Sequence, residues 1–228
     1  MQSLKSMVQV GFISGLLVAG AAFAAEPAAN TTNGKVAPTQ VDTSGPSQLI
    51  ESAANILLSD VDKNRAQYGK DLTGLYKVIE DTLLPNFDTP YAAQLVLGQH
   101  WRGATPEQRK RFVDAFYKRL LYNYGGQMVN FTADRLKVYP TKVAPEDTKA
   151  TVRTEIKRSN GTKVAVNYSM RKVNGAWKAW DVVIDGISYV KSYREDYGTE
   201  VAQKGLEAVI ARLEADAQAA LAAKGKTT

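Results

Sequence analysis

Apolar positions recur three and four apart through the first half of the chain and two apart through much of the second, so a helical part precedes a strand part. Leu49, Ile50, Ala53, Ile56, Leu57 and Val61 trace one helical stripe, and Leu72, Leu75, Tyr76, Ile79 and Leu83 trace a second that Pro85 stops. Thr89-Pro90 reads as an N-cap with proline in the first turn, opening a short helix over Tyr91 to Leu97 that Gly98 ends. Thr105-Pro106-Glu107-Gln108 repeats the device with glutamine three residues after the cap, a capping box. The long helix that follows carries Phe112, Val113, Phe116, Leu120 and Leu121 on its stripe, with Tyr124 beside it, and Gly125-Gly126 is its expected end.

From about Arg135 the period is two, and Asn160-Gly161 and Asn174-Gly175 are each flanked by alternating segments. A two-residue turn at the first would pair Ile156 with Ala165 and mix polar with apolar faces. A three-residue loop, Ser159-Asn160-Gly161 with Gly161 left-handed, instead pairs Ile156 with Val164, Thr154 with Val166 and Val152 with Tyr168. The same arrangement at Asn174-Gly175 sets Tyr168 against Trp180, Val166 against Val182 and Val164 against Ile184, with Trp177 on the opposite face beside Arg171. The pattern predicts an antiparallel meander of about four strands starting near Leu136 to Tyr139, with one strongly apolar face that helices must cover. After Asp185-Gly186 a short helix is expected over Ile187 to Tyr197, then a last helix with Leu206, Val209, Ile210 and Leu213 on one stripe. The class is α+β, helices packed on a curved antiparallel sheet.

The N-terminus adds an address. Lys5 precedes an apolar run from Val8 to Gly20, and Ala22-Phe23-Ala24 follows, the anatomy of a secretory signal peptide cut after Ala24. The run is shorter than the roughly 20 residues a membrane span takes. With no cysteine the chain carries neither disulfides nor a lipidated N-terminus, which fits a soluble periplasmic protein. Residues 25–46 are poor in large apolar groups and read as a flexible leader. One domain is expected over 47–222, and 223–228 as a frayed tail. The formal charge of +6 falls to +5 without Lys5, with lysines and arginines spread along the chain. Export argues against nucleic acid, leaving a solvated basic surface or attraction to anionic lipid.

Candidate chemistry is sparse. A single histidine, His100, and no cysteine remove most metal and nucleophilic designs, and no GxSxG, HExxH or Walker pattern occurs. Asp181 and Asp185 are the candidate general bases if buried, although carboxylates at strand ends more often serve turns and caps. No metal or cofactor is implied. The apolar rows fit a plain core or a box for an apolar ligand equally well.

The stretch "NGAWKAWDVVIDGISYVKSYREDY", residues 174–197, resembles the C-terminal signature of the MlaC family of periplasmic phospholipid-binding proteins, also known as toluene-tolerance auxiliary proteins. Its elements fall on Gly175, Trp177, Asp181, Asp185, Gly186, Ile187, Ser188, Tyr193 and Arg194. Upstream, "LVLGQHWRGATPEQRKRFVDAFYKRLLYNY", residues 95–124, is similar to the family's Leu-Gly-x-x-Trp, Thr-Pro-x-Gln-Arg and Phe-x-x-x-Phe pattern. The resemblance implies an NTF2-like cone with an apolar cavity and no enzyme. The implied protein is a soluble carrier of diacyl phospholipid that maintains outer-membrane lipid asymmetry. Its implied partners are an outer-membrane lipoprotein-porin complex and an inner-membrane ABC transporter with an MCE-domain ring. Acyl chains would then lie between a sheet row of Val152, Ile156, Val166, Tyr168, Val182 and Ile184 and the helical residues Leu75, Ile79, Leu97, Phe112, Phe116 and Leu120. Of the signature positions, Ser188 is expected to cap the following helix and Arg194 to pair with a carboxylate of the same chain. An enzyme of the NTF2-like class and an adaptor with a solid core are the competing readings.

Overall fold

The structure, a computed structural model, describes residues 39–132, 136–157 and 161–224. The expected signal peptide and its cleavage site, the leader up to residue 38, the hairpin positions 158–160 and the last four residues of the tail lie outside them. Among the described residues no helix is long and apolar enough to cross a membrane.

The helical half follows the stripes. Helix α1 (Pro46–Tyr68) starts behind Gly45 with proline in its first turn, and α2 (Thr73–Thr82) runs on to a 3-10 turn, Leu84–Asn86. Leu57, Val61 and Tyr68 of α1 interlock with Leu75, Tyr76 and Ile79 of α2 and with Leu121 beyond. Residues ahead of α1 are already held: Val41 packs on the sheet-side core and the Asp42 amide donates to Ser52 Oγ at 2.8 Å.

Helix α3 (Thr89–Leu97) is capped one residue earlier than expected. Asp88, not Thr89, accepts the Tyr91 amide at 3.2 Å through Oδ1, while its Oδ2 lies 3.0 Å from Arg171 Nε. After a short α4 (His100–Gly103), α5 (Pro106–Tyr124) opens on the expected capping box. The Gln108 amide donates to Thr105 Oγ1 and the Thr105 amide to Gln108 Oε1, both at 3.1 Å. Gly125 does not end α5 in a left-handed turn. Its φ is −58°, and the chain runs on as a 3-10 helix, Gly125–Asn130. A Cβ at Gly125 would lie 3.1 Å from both Ile79 Cδ1 and Tyr76 Cε1, so glycine serves the close approach of α2 here.

The sheet has five strands rather than about four, antiparallel and in sequence order: β1 (Leu136–Val138), β2 (Lys149–Lys157), β3 (Lys163–Val173), β4 (Ala176–Ile184) and β5 (Ile187–Ser188). At the first hairpin Ile156 pairs with Val164, Thr154 with Val166 and Val152 with Tyr168, as expected, and Gly161 has φ +84°. The second hairpin differs. Asn174 (φ +51°) and Gly175 (φ +83°) form a two-residue turn, so Val173 pairs with Ala176 and Lys172 with Trp177. Left-handed Asn-Gly matches the strand twist and gives the tighter loop.

That turn alone would put Val182 and Ile184 on the wrong face. A bulge restores them. Between Ser169 and Met170 the register shifts, Met170 pairing with Ala179 and Ser169 with Asp181, so Trp180 is the extra residue. Tyr168 therefore faces Val182 rather than Trp180, and Val166 faces Ile184 rather than Val182.

The Asp185-Gly186 stop is a third tight turn, both residues at positive φ, and it pairs Ile184 with Ile187. The helix expected from Ile187 accordingly starts two residues later as α6 (Tyr189–Lys204), followed across Gly205 by α7 (Leu206–Lys224). Helix α7 lies on α5 through an ionic seam in which Arg111 binds Glu214 at 2.7 Å and Glu207 at 2.6 Å, while Arg119 and Arg212 share Asp216.

Candidate functional site

The face of the sheet that α1 covers is apolar from end to end, but it is not closed from end to end. At the turn end of β3–β4, Val152, Met170, Trp177 and Ala179 are buried against Leu49 and Ile50 of α1. Lys172 folds over this end, its Nζ 5.1 Å from the centre of the Trp177 ring and donating to the Pro145 carbonyl at 2.8 Å. Trp177 is thus a core residue at 5% exposure, not an outer one. The two-residue turn changes the parity of β4 between Ala176 and Ala179, and with it the face on which Trp177 stands.

Beyond the bulge the same face continues as Tyr168, Val182, Val166, Ile184, Val164 and Ile156. Val164 and Val166 are buried, whereas Ile156, Tyr168, Val182 and Ile184 are only half-buried. No charged side chain interrupts this row. Thr154, at 2% exposure, donates its hydroxyl to the Val166 carbonyl at 2.7 Å, so even the polar member presents only its methyl. Burial pushes the Tyr168 phenol up, offset in part by its bond with Thr154.

The helical residues expected opposite this row fall into different groups. Leu75 and Ile79 belong to the α1–α2–α5 core. Phe112 and Phe116 stack on each other at 5.6 Å, and their rings meet Tyr197 and Tyr193 of α6 edge-on. Leu97 is buried in α3, and Leu120 is half-buried on α5. The sequence reading missed Leu49 and Ile50 as the residues that meet the sheet. It also missed the ladder Tyr189, Tyr193 and Tyr197, whose four-residue spacing was legible. Burial, and a bond to the Tyr124 hydroxyl at 3.1 Å, push the Tyr193 phenol far up. An open groove of about 620 Å³, lined by Gln99, His100, Val201, Lys204 and Leu206 among others, lies elsewhere, where α4 meets the α6–α7 junction.

The signature residues are structural in their contacts. Asp181 is buried, with Oδ2 accepting from the Ser188 hydroxyl at 2.6 Å and Oδ1 from the Val190 amide at 3.0 Å. Ser188 Oγ accepts the Lys191 amide at 3.1 Å, the expected cap of α6. Asp181 therefore pins the start of α6 to the bulged strand, a favourable place for a carboxylate. Asp185 Oδ1 accepts the Ala165 amide at 3.2 Å, and Gly186 supplies a positive φ in the same turn. Arg194 departs from expectation, for among the described residues it makes no ion pair with a carboxylate. Its guanidinium rests on Gly98, where a Cβ would come within 3.0 Å of Nε and where φ of +54° itself requires glycine. Among the described residues no three histidine or acidic groups converge as a metal site. An uncharged row of branched and aromatic side chains with both candidate carboxylates committed to the backbone can receive an apolar ligand.

Comparison with known proteins gives concordant results. A family model described as MlaC protein matches residues 51–215. The intermembrane phospholipid transport system binding protein MlaC of Haemophilus influenzae is 24% identical over 185 residues, 80% of this chain and 86% of that protein. Toluene tolerance protein ttg2D of Pseudomonas putida is 27% identical over 161 residues, 70% and 74% of the respective chains. In fold, the chain is similar to a phospholipid-binding protein from Ralstonia solanacearum solved in complex with a phospholipid, with a TM-score of 0.68 at 23% identity. That match covers 75% of this chain and 96% of the other.

Proposed function

Because the chain belongs to the MlaC family, we propose that it is a phospholipid-binding carrier that moves lipid between membranes and performs no chemistry on it. The observation that carries this reading is the half-buried row Ile156, Tyr168, Val182 and Ile184, which continues a fully buried row on the same sheet face. A sheet closed only for stability gains by burying its whole apolar row, at about 25 cal/mol per Å². A face left partly open suits an apolar ligand that completes it.

The energetics favour a carrier. Each methylene withdrawn from water contributes about 0.8 kcal/mol, so two acyl chains approach roughly 20 kcal/mol and do not cross water unaided. A protein face that matches the bilayer interior makes exchange nearly neutral, and net direction then comes from the partners. The finer assignment is that the exported chain, its signal peptide cut after Ala24, carries diacyl phospholipid across the periplasm. It would pass the lipid between an outer-membrane lipoprotein-porin complex and an inner-membrane ABC transporter with an MCE-domain ring, so maintaining outer-membrane asymmetry. Asp181 and Asp185 then serve the fold, and the role needs no catalytic residue.

Native mass spectrometry of gently purified protein tests the reading. The expected spectrum shows the chain with a diacyl phospholipid bound. Protein that repeatedly emerges empty from lipid-replete cells, and takes up none from donor vesicles, would overturn it.

A further inference from the structure

Basic residues that are scattered along the sequence gather on the sheet face opposite the apolar row. Strand pairing sets Lys149, Arg171 and Lys178 directly across from one another on β2, β3 and β4, and Lys157 across from Lys163 at the hairpin end. Arg153 stands between these groups, opposite Asn167. Neighbouring strands lie about 4.8 Å apart, so the first three cations fall within about 10 Å. On β2–β4 the same face carries Glu155, which already binds Lys163 at 2.9 Å, and buried Asp181 opposite Ser169, whose oxygens are taken by Ser188 and Val190. Arg171 is held by Asp88 at 3.0 Å and lies 4.0 Å over the Tyr91 ring. Lys149, Arg153, Lys157 and Lys178 make no ion pair among the described residues.

Like charges directly opposite in a sheet destabilise it; Asp88 and Glu155 offset one member of each pair here, which leaves Lys149, Lys157 and Lys178 as cations that no ion pair among the described residues uses. Between the cations stand Thr151, Ala165, Asn167 and Ser169, none of them a large apolar anchor. A folded protein partner is gripped through a desolvated core of aromatic and apolar residues; on this side the strands offer only half-buried Val173 and Val183, and the nearby Tyr91 ring is already covered by Arg171. Long, flexible, mostly lysine side chains suit a surface of many mobile negative charges. We propose that the outer face of β2–β4 is a docking surface for an anionic phospholipid bilayer, holding the protein at the membrane surface by charge alone. The inference needs no bound cargo, so its failure and that of the carrier reading are separable.

Co-sedimentation of the purified chain with vesicles tests it, comparing pure phosphatidylcholine with a mixture containing about one-third phosphatidylglycerol. The chain is expected to bind the anionic vesicles and not the neutral ones, and to be released as salt rises from about 0.05 M to about 0.5 M. The triple variant Lys149→Glu/Arg153→Glu/Lys157→Glu should lose about a hundredfold in affinity. Lys63→Glu/Lys118→Glu/Lys191→Glu, with the same net charge from exposed helical positions, should lose less than about threefold. Circular dichroism should show the sheet variant folded, since it removes the like-charge pairs at Arg171 and Lys163. If it fails to fold, the milder Lys149→Gln/Lys157→Gln should still lose about tenfold. Equal losses in both triples would reduce the effect to overall charge and overturn the docking face. So would an unmodified chain that ignores anionic vesicles. A sheet variant that binds vesicles normally but loses capture by an acidic protein would replace the bilayer with a protein partner.

Discussion

The two ends of the helix-covered sheet face share strands, register and apolar character, yet one end is shut and the other is not. At the shut end Trp177, Met170, Val152 and Ala179 meet Leu49 and Ile50, and Lys172 closes over them. At the open end Val182, Ile184 and Ile156 stay half-buried beside buried Val164 and Val166, although nothing charged separates them from the first group, against which half-buried Tyr168 packs. Hydrophobicity alone therefore does not decide where the core stops. The division falls at the bulge around Trp180, where β4 changes parity and Asp181 ties it to α6. One end secures the fold so that the other can remain incomplete.

The largest expected effect lies at the shut end. Trp177→Ala removes the ring that spans α1 and the sheet, and should cost about 3–5 kcal/mol in urea unfolding, while any protein that remains folded keeps its lipid. A cost under about 1 kcal/mol would show that this end is not closed. Next comes the divide itself. Asp181→Ala strips two hydrogen bonds from a buried carboxylate and leaves the Val190 amide unsatisfied, an expected loss of about 1.5–3 kcal/mol. Asp181→Asn, which still accepts one bond, should recover part of it. Equal melting temperatures for the alanine and asparagine variants would remove Asp181 from its positioning role.

How far these features were legible depended on what set them. Gly161 and the alternation around it gave the β2–β3 register because a single loop length kept both apolar rows on one face. The β3–β4 hairpin obeyed two rules at once. Its Asn-Gly turn fixed one parity and the bulge at Trp180 restored the other, so the faces of Val182 and Ile184 were right while their partners and the face of Trp177 were not. A bulge deep in a strand leaves no turn residue to announce it. Phe112 and Phe116 showed a helical stripe, but a stripe names a buried side and not the element it is buried against. The basic sheet face was hidden for the opposite reason, since cations four apart on β2, eight apart on β3 and single on β4 read as an even spread along the chain.

The sharpest and smallest effect comes from one substitution made at both ends. Val152→Phe forces a ring into a position with no exposed surface, among Leu49, Ile50 and Met170, and should destabilise the lipid-free protein by about 1–3 kcal/mol through overpacking. Val182→Phe adds the same atoms opposite half-buried Tyr168, where the row is not closed. There the ring gains contact with Tyr168 and loses little exposure to strain, so lipid-free stability should move by less than about 0.5 kcal/mol. It would nonetheless fill space that acyl chains need, and lipid uptake from donor vesicles should fall sharply. Val152→Phe, if folded, should take up lipid as before. Stability lost at one end and binding lost at the other separates a wall that holds the fold from a wall that holds a ligand. Were Val182→Phe to destabilise the lipid-free chain as much as Val152→Phe does, the two ends would be one solid core, and the half-buried row would no longer support a bound lipid.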